Sequence, residues 1–206
     1  MLAAGSTVVP EAAQGAPAPR RRLEIVHRHE VRRGAIERFV AGVYRRRYGA
    51  RIVHWAPVLV ALRTDGRLVA AAGYRRADAP LYLERYLDVP IEHALAACTG
   101  MPVARALVCE VGHFASAVPG EGRRLMRMLA RHLAAAGLQW VASTATRELR
   151  ELLFRIGLTP CALAPADPAR LGSDAEDWGD YYEHAPVVVA GELARGLAAL
   201  ERGRRG

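Results

Sequence analysis

A tight turn between two apolar segments constrains the fold of this chain more than any other feature of its sequence. The segments cover residues 57–62 and 68–74, and Thr64-Asp65-Gly66 lies between them. Asp-Gly flanked by apolar runs is a strong hairpin signal, because the favoured two-residue turn needs a positive φ at both residues. The sequence therefore predicts two adjacent antiparallel strands.

Helical and extended patterns alternate along the rest of the chain. Apolar residues at helical spacing predict a helix that Gly49 ends, a helix over 123–136 that Gly137 ends, and a helix capped by Thr146 and ended by Gly157. Shorter helices are predicted over 90–97 and 193–200. The remaining predicted strands are 23–27, 81–87, 103–111, 139–143 and 186–190. This order predicts an α/β (α+β) protein with a mixed sheet covered by helices.

The length and composition indicate a single intracellular domain. The chain has 206 residues, of which 51% are hydrophobic, enough for one sizeable core. Residues 1–20 are rich in Ala, Gly and Pro, so we expect a disordered tail there and one domain over 21–206. The start lacks the pattern of a secretory signal, and no window has the ~18 apolar residues of a membrane span. We therefore expect a cytoplasmic protein.

The charge and the cysteines restrict the choice of partners and cofactors. The net charge is +8, and arginine supplies the positive side chains without any lysine. This composition fits a genome rich in G and C, and it also fits an acidic partner such as a phosphate-bearing cofactor, an acyl carrier protein, a nucleic acid or a membrane surface. Cys98, Cys109 and Cys161 do not resemble a disulfide framework, and they lack metal-ligand spacing, so we expect no metal.

Glu110 is the leading candidate for a catalytic residue. Strand alternation places it on one face with Ala106, Val108 and Gly112. A carboxylate in such apolar surroundings has a raised pKa, which suits a general base for an amine. An ion pair with one of the many arginines explains Glu110 equally well. His113, near the end of the strand, is either a hydrogen-bonded structural residue or a second acid/base group.

A glycine-containing loop follows that strand. It reads Pro119-Gly120-Glu121-Gly122 and precedes a predicted helix that begins with Arg123 and Arg124. Free N–H groups at a helix start, approached through glycines, can hold a pyrophosphate. A simple turn accounts for the same short glycine pattern.

Two further groups of side chains are candidates for substrate contacts. Tyr82, Glu84 and Tyr86 would share one face of the predicted strand 81–87 and could line a pocket for an amine, with Glu84 as a further catalytic carboxylate; a half-exposed strand face is the alternative. An aromatic group farther along the chain either packs on the core or covers an apolar acyl chain. It consists of Trp178, Tyr181 and Tyr182.

Several separated motifs resemble the thermostable hemolysin family between about residues 23 and 200. They are Y-G-A at 48–50, L-Y-L-E-R-Y-L-D-V-P-I-E at 81–92, E-V-G-H-F-A-S at 110–116, T-A-T-R-E-L-R at 144–150 and W-G-D-Y-Y at 178–182. The family usually has Asn at the position of His113. The element order resembles the GNAT fold and its relatives, the acyl-homoserine-lactone synthases. We therefore expect a GNAT-like, mostly antiparallel sheet flanked by helices.

The resemblance implies an acyl-CoA or acyl-carrier-protein thioester as donor. It would lie along the strand beside Gly112, Phe114, Ala115 and Ser116, where the N–H groups of Phe114 and Ala115 polarise its carbonyl. Its pyrophosphate would meet Gly120, Gly122, Arg123 and Arg124. The usual GNAT loop has Arg or Gln where this chain has Ala117, which favours a carrier protein or a longer acyl-CoA over acetyl-CoA.

Two functions are compatible with this sequence. The first is an N-acyltransferase that uses Glu110 to deprotonate the amine of a small molecule, with no nucleic-acid partner. The second is a membrane-active, hemolysin-like or binding protein on the same fold without catalysis, whose arginines contact anionic lipid. A buried Glu110 beside an open cleft favours the enzyme, and a filled cleft between strands 103–114 and 139–144 favours the second function.

Overall fold

The computed structural model describes residues 19–202. The predicted tail up to residue 18 and the last four residues, 203–206, lie outside that part. Within residues 19–202, seven strands form one sheet, in the order β1-β2-β3-β4-β5-β7-β6. They are β1 (Arg21–His27), β2 (Val58–Thr64), β3 (Arg67–Arg76), β4 (Val108–Ser116), β5 (Trp140–Ala145), β6 (Cys161–Pro165) and β7 (Val187–Glu192). The β4–β5 pair is parallel and the other neighbouring pairs are antiparallel.

Helices cover both faces of the sheet. They are α1 (Arg33–Tyr48), α2 (Ile91–Thr99), α3 (Glu121–Ala135), α4 (Arg147–Arg155) and α5 (Leu193–Arg202). Two 3₁₀ segments matter for the site: the tyrosine turn (Tyr82–Tyr86), and the aromatic loop (Pro168–His184), whose helical turns are interrupted at two glycines. Over residues 19–202, no helix is long and apolar enough to cross a membrane.

The predicted hairpin is confirmed as the β2–β3 pair. Asp65 and Gly66 have φ values of 49° and 80°, the positive values that a tight hairpin turn requires. Strand alternation then divides the core between the two faces. Leu59 and Ala61 pack in the cluster beneath α1, while Val60 and Leu62 pack with the leucines of α3 on the other face.

The prediction of a strand over 81–87 is wrong, because this segment forms the tyrosine turn. The Glu84 carboxylate accepts a hydrogen bond from the N–H of Leu81 at 2.9 Å, and the N–H of Leu87 donates to the Glu84 carbonyl at 3.0 Å. These local bonds satisfy backbone groups that a strand would leave to a neighbouring strand. Tyr82, Glu84 and Tyr86 therefore do not share a strand face.

Two strand positions also differ from the prediction. β4 begins at Val108 and continues to Ser116, because Arg105–Leu107 forms a short 3₁₀ turn before it. His113 and the three residues after it therefore lie inside the sheet. β6 was not predicted, because it is a short edge strand that ends in Pro165 and has little alternation.

The cysteine prediction is partly wrong. Cys98 and Cys161 form a disulfide, with their Cα atoms 6.6 Å apart. Their separation of 63 residues gave no local signal of this pairing. Cys109 is a buried free thiol, as predicted, and burial raises its pKa to about 12.

Candidate active site

β4 and β5 separate at the centre of the sheet. They pair only over Val108–Trp140, Cys109–Val141 and Glu110–Ala142. Both strands continue beyond the last of these pairs without pairing with each other, β4 to Ser116 and β5 to Ala145. The parallel strands therefore form a fork, and Glu110 lies at its vertex.

A β-bulge in β4 changes which side chains face each side of the fork. Gly73 of β3 pairs with Gly112, but Ala71 pairs with Ala115, so two β4 residues oppose one β3 residue. His113, one of these two, has a positive φ of 54°. A bulge shifts the alternation by one residue. Phe114 consequently packs with Cys109 and Val111 on the α3 face, while Ala115 packs beneath α1.

The Glu110 carboxylate is held by the start of the tyrosine turn. It accepts hydrogen bonds from the N–H of Tyr82 at 2.7 Å and of Leu83 at 3.2 Å, and Arg75 Nε lies 3.6 Å from its Oε2. Burial raises the pKa of Glu110, against the opposing effects of the Arg75 charge and the two N–H bonds. The structure is compatible with Glu110 both as a general base, because its pKa is raised, and as an ion-pair partner, because Arg75 is its neighbour.

A cavity of about 460 Å³ lies next to two of the residues that contact this carboxylate. The side chains that line it include Arg75, the ion-pair neighbour of Glu110, and Tyr82, whose N–H binds Glu110. The other lining residues are Arg28, Arg33, Val53, His54 and Trp55. Its volume is within the range of small-molecule sites. Its polar lining suits a charged ligand.

His113 is fixed against this cavity wall in a neutral state. Its ring stacks on Trp55 with centroids 5.1 Å apart, and its Nε2 lies 3.0 Å from the carbonyl oxygen of His54. Burial lowers the pKa of His113 to about 4. Gly73 leaves room for the ring, because a Cβ there would lie 3.0 Å from Nδ1. This environment suits a structural residue more than a proton donor near neutral pH.

Glu84 lies near Glu110 but is fully engaged by other groups. Arg105 donates to both of its carboxylate oxygens, and the N–H groups of Leu81 and Ile91 donate as well. Burial alone would raise the pKa of Glu84, but the Arg105 and N–H hydrogen bonds hold it at about 2. This geometry suits an anchor of the tyrosine turn, and the catalytic role of Glu84 stays a prediction.

The five aromatic residues predicted to contact substrate lie together, but they pack against one another in a cluster. Tyr86 and Tyr182 share a hydrogen bond between their hydroxyls at 2.7 Å, and Trp178 Nε1 donates to Tyr82 Oη at 3.3 Å. Tyr181 is buried, and its hydroxyl donates to the Thr144 carbonyl. The cluster joins the tyrosine turn to the aromatic loop.

Two tyrosines occupy the fork between β4 and β5. The Tyr44 hydroxyl hydrogen-bonds the backbone of Phe114, beyond the vertex on the β4 side. The Tyr181 hydroxyl donates to Thr144 on the β5 side at 3.1 Å. Tyr44 and Tyr181 are both buried in the cluster beneath α1. In this conformation the fork is filled.

The loop predicted to bind the phosphates of the donor forms the start of α3, and it contains a carboxylate of its own. Gly120 has a φ of 81°, and Glu121 at the first helical position is buried with Arg21 at 3.1 Å and Arg124 at 3.5 Å. A carboxylate at a helix start uses the positive end of the helix dipole. Gly122 allows α3 to approach β4, because a Cβ there would lie 3.3 Å from that of Ser116.

Sequence analysis missed several residues of the cavity wall. Arg75 lies next to the last residue of a strongly apolar strand, and the antiparallel pairing places it opposite Glu110. An arginine in such a strand is unusual, and the register of β3 against β4 would have identified it as the neighbour of Glu110. His54 and Trp55 lie in an irregular segment between α1 and β2, where no periodicity marks them. In residues 19–202, no group of three or more His, Cys, Asp and Glu side chains could hold a metal ion.

Solved structures share this architecture. FeeM, an N-acyl amino acid synthase from uncultured soil microbes, is 17% identical, with 86% of this chain and 93% of that chain covered at a TM-score of 0.58. The CoA-dependent acyl-homoserine lactone synthase BjaI, solved with SAM and isopentyl-CoA, is 16% identical over 88% of each chain at a TM-score of 0.60. The acyl-homoserine lactone synthase LasI is 17% identical over 85% of this chain and 91% of that one, at 0.58. These similarities confirm the predicted GNAT-like fold.

Sequence comparison gives the family. No curated protein matches the chain. The family model described as thermostable hemolysin matches residues 26–197, which include the fork, the tyrosine turn and the aromatic loop. The match covers most of the sequence, and it agrees with the motifs at 81–92 and 110–116. The chain therefore belongs to the thermostable hemolysin family.

Proposed function

We propose that this protein is an N-acyltransferase that moves an acyl group from an acyl-CoA or acyl-carrier-protein thioester to the amine of a small molecule. The observation that carries the proposal is the poorly exposed Glu110 carboxylate at the vertex of the β4–β5 fork, whose neighbours Arg75 and Tyr82 line a cavity of about 460 Å³. The similarity to an N-acyl amino acid synthase and two acyl-homoserine lactone synthases supports this class of reaction.

The proposed reaction gives Glu110 one proton to move. The amine nitrogen attacks the thioester carbonyl carbon, so that a C–N bond forms and the C–S bond breaks. Glu110 accepts the proton that the nitrogen loses, directly or through water, and the departing thiolate becomes a thiol when that proton reaches it. Burial raises the pKa of Glu110, which makes the carboxylate a better proton acceptor than an exposed one. Arg75 favours the charged form that must be present before the reaction.

The donor in this proposal lies along β4 and reaches the start of α3. The N–H groups near Phe114 and Ala115 would polarise the thioester carbonyl, and Gly120, Gly122 and Arg123 would receive the phosphate end. The Phe114 backbone is hydrogen-bonded to the Tyr44 hydroxyl, so Tyr44 must move away before a donor can bind there.

Glu110→Gln tests the proposed base. Release of free thiol is followed with acyl-CoAs of several chain lengths and a set of amines, together with donor binding by calorimetry. We expect turnover to fall about 10²–10⁴-fold with donor affinity nearly unchanged. Glu24→Gln is the matched control, because Glu24 is also a poorly exposed carboxylate with an arginine partner, Arg63, but lies on β1. Full turnover in Glu110→Gln would mean that Glu110 is structural.

A non-catalytic, membrane-active or binding protein on the same fold is the second candidate. The observation that favours it is the fork itself, which Tyr44 and Tyr181 fill. This function predicts that no acyl donor binds and no thiol is released, while vesicles containing anionic lipid bind the full chain. Binding of an acyl thioester in calorimetry contradicts it.

A further inference from the structure

The cavity next to the neighbours of Glu110 has a cationic wall. Three arginines line it, Arg28, Arg33 and Arg75, and none of its other lining residues is acidic. A small cavity with one sign of charge attracts ligands of the opposite sign.

The three arginines differ in how strongly they are already bound. Arg33 is buried, donates from Nε to Glu37 at 2.7 Å, and donates to the carbonyls of Ala56 and Pro57. It is therefore a structural part of the wall with its charge balanced.

Arg28 and Arg75 retain donors for a ligand. Arg28 is exposed, and its guanidinium has no hydrogen bond or ion pair with any residue from 19 to 202. Arg75 Nε is 3.6 Å from Glu110 Oε2, which is too long for a hydrogen bond. The remaining donors of a guanidinium group match a planar carboxylate, which can accept two of them at once.

Arg75 links the charged wall to the proposed base. It lines the cavity and is also the ion-pair neighbour of Glu110. In an amino acid, the amine nitrogen is two bonds from the carboxylate carbon. A carboxylate held by Arg28 and Arg75 would therefore keep the amine of the same molecule close to Glu110.

We infer that this cavity binds the carboxylate of the acyl acceptor, so that the acceptor is an amino acid or a similar carboxylate-bearing amine. Trp55 and Tyr82 supply flat walls against which the acceptor's side chain packs. This inference rests on the proposed acyltransferase function, and it names the substrate class of that same site.

The test compares each amino acid with the amine that lacks its carboxylate. L-tyrosine against tyramine and L-leucine against 3-methylbutylamine are suitable pairs, each with the full chain and acyl-CoAs of several lengths. We expect kcat/KM to be at least about tenfold higher for the amino acids, since charge-assisted hydrogen bonds to the carboxylate contribute binding. Arg28→Gln should lower kcat/KM for the amino acids about ten- to a hundredfold, and should thereby narrow the difference between each amino acid and its plain amine. Arg38→Gln is the matched control, because Arg38 is an exposed arginine of α1 outside the cavity.

A binding measurement separates this inference from the proposed function. Amino-acid binding is measured by calorimetry without a donor, on the wild type and on both variants, with inorganic phosphate as a competing anion. Amino-acid binding that is lost in Arg28→Gln, without any thiol release, supports the carboxylate site and contradicts the acyltransferase. Equal acylation of amines with and without a carboxylate supports the acyltransferase function and overturns the inference of a carboxylate site. It is also overturned if Arg28→Gln and Arg38→Gln bind amino acids equally, if the wild type binds none, or if inorganic phosphate binds more tightly than amino acids do.

Discussion

The Nε2 atom of His113 lies 3.0 Å from the carbonyl oxygen of His54. A carbonyl oxygen can only accept, so Nε2 carries the proton and Nδ1 does not. Burial lowers the pKa of this imidazole from its usual 6.5 to about 4. The contact therefore fixes a neutral tautomer at the β4 bulge, next to the wall of the cavity.

We predict that His113 makes the folded protein less stable in mild acid. Between about pH 6.5 and pH 4 the unfolded chain binds a proton at this residue and the folded chain does not. The stability that the neutral His113 contributes is fully present above pH 6.5, and it is lost as the pH falls toward 4. Urea midpoints measured across this range should fall less steeply for His113→Asn than for the wild type. Parallel profiles would mean that the imidazole is solvated.

The φ of 54° at His113 gives a second prediction. Asn and His tolerate this left-handed conformation better than most residues, and β-branched residues tolerate it poorly. His113→Asn should fold normally, whereas His113→Val should lose about 1–2 kcal/mol more in the free energy of unfolding. Chemical denaturation of both variants measures the difference, and equal losses would place the cost in the lost ring contacts instead of the backbone.

Local patterns predicted the parts of this fold that depend on neighbouring residues. The Asp65-Gly66 turn formed as expected, because its φ values are a property of two residues. The cap of α4 also formed, with the Leu149 N–H donating to Thr146 Oγ1 at 3.4 Å. Gly49 ends α1 with a φ of 65°, as its position predicted.

Contacts between distant segments determined what the sequence did not predict. The tyrosine turn alternates like a strand, but Arg105 and Glu110, more than 20 residues away, fix it as a 3₁₀ turn. The bulge at His113 needs the register of β3 against β4, which no single segment contains. The cavity wall combines several separate segments, so its charge was visible in the sequence only as an excess of arginine.

Gly179 should be essential for the folded state. A Cβ at this position would collide with the carbonyl oxygen of Tyr48, and its φ of 50° is already unfavourable for other residues. Gly179→Ala should therefore destabilise the protein by about 2–5 kcal/mol, through backbone strain and overpacking together. Gly172→Ala is the matched control, because its φ is 59° and its Cβ would meet nothing within 4 Å. Equal melting temperatures for the two variants would show that the contact with Tyr48 contributes nothing.

The Glu84–Arg105 pair should stabilise the fold above about pH 4.5. The pKa of Glu84 is about 2 in the folded protein, against an ordinary 4.5. This contribution is present above the unfolded pKa and is lost as the pH falls from about 4.5 toward 2. Arg105→Met removes the arginine that binds Glu84, so the acid-unfolding midpoint should move to higher pH. Arg51→Met, which breaks the exposed pair with Asp177, should leave that midpoint nearly unchanged.

Tyr181→Phe should make the fork easier to open. The variant keeps the ring but removes the hydroxyl that donates to Thr144 on the β5 side, so the cost of moving the ring out of the fork falls. We expect a loss of about 0.5–1.5 kcal/mol in the free energy of unfolding and, if an acyl chain enters the fork, tighter binding of long-chain acyl-CoA in calorimetry. Tyr74→Phe is the matched control, because it removes a tyrosine hydroxyl that pairs with His132 at 3.1 Å on the opposite face of the sheet. A stability loss in both variants, with tighter donor binding in Tyr181→Phe alone, assigns the effect to the fork. Donor affinity that stays at the wild-type value in Tyr181→Phe means that the acyl chain binds without displacing this tyrosine.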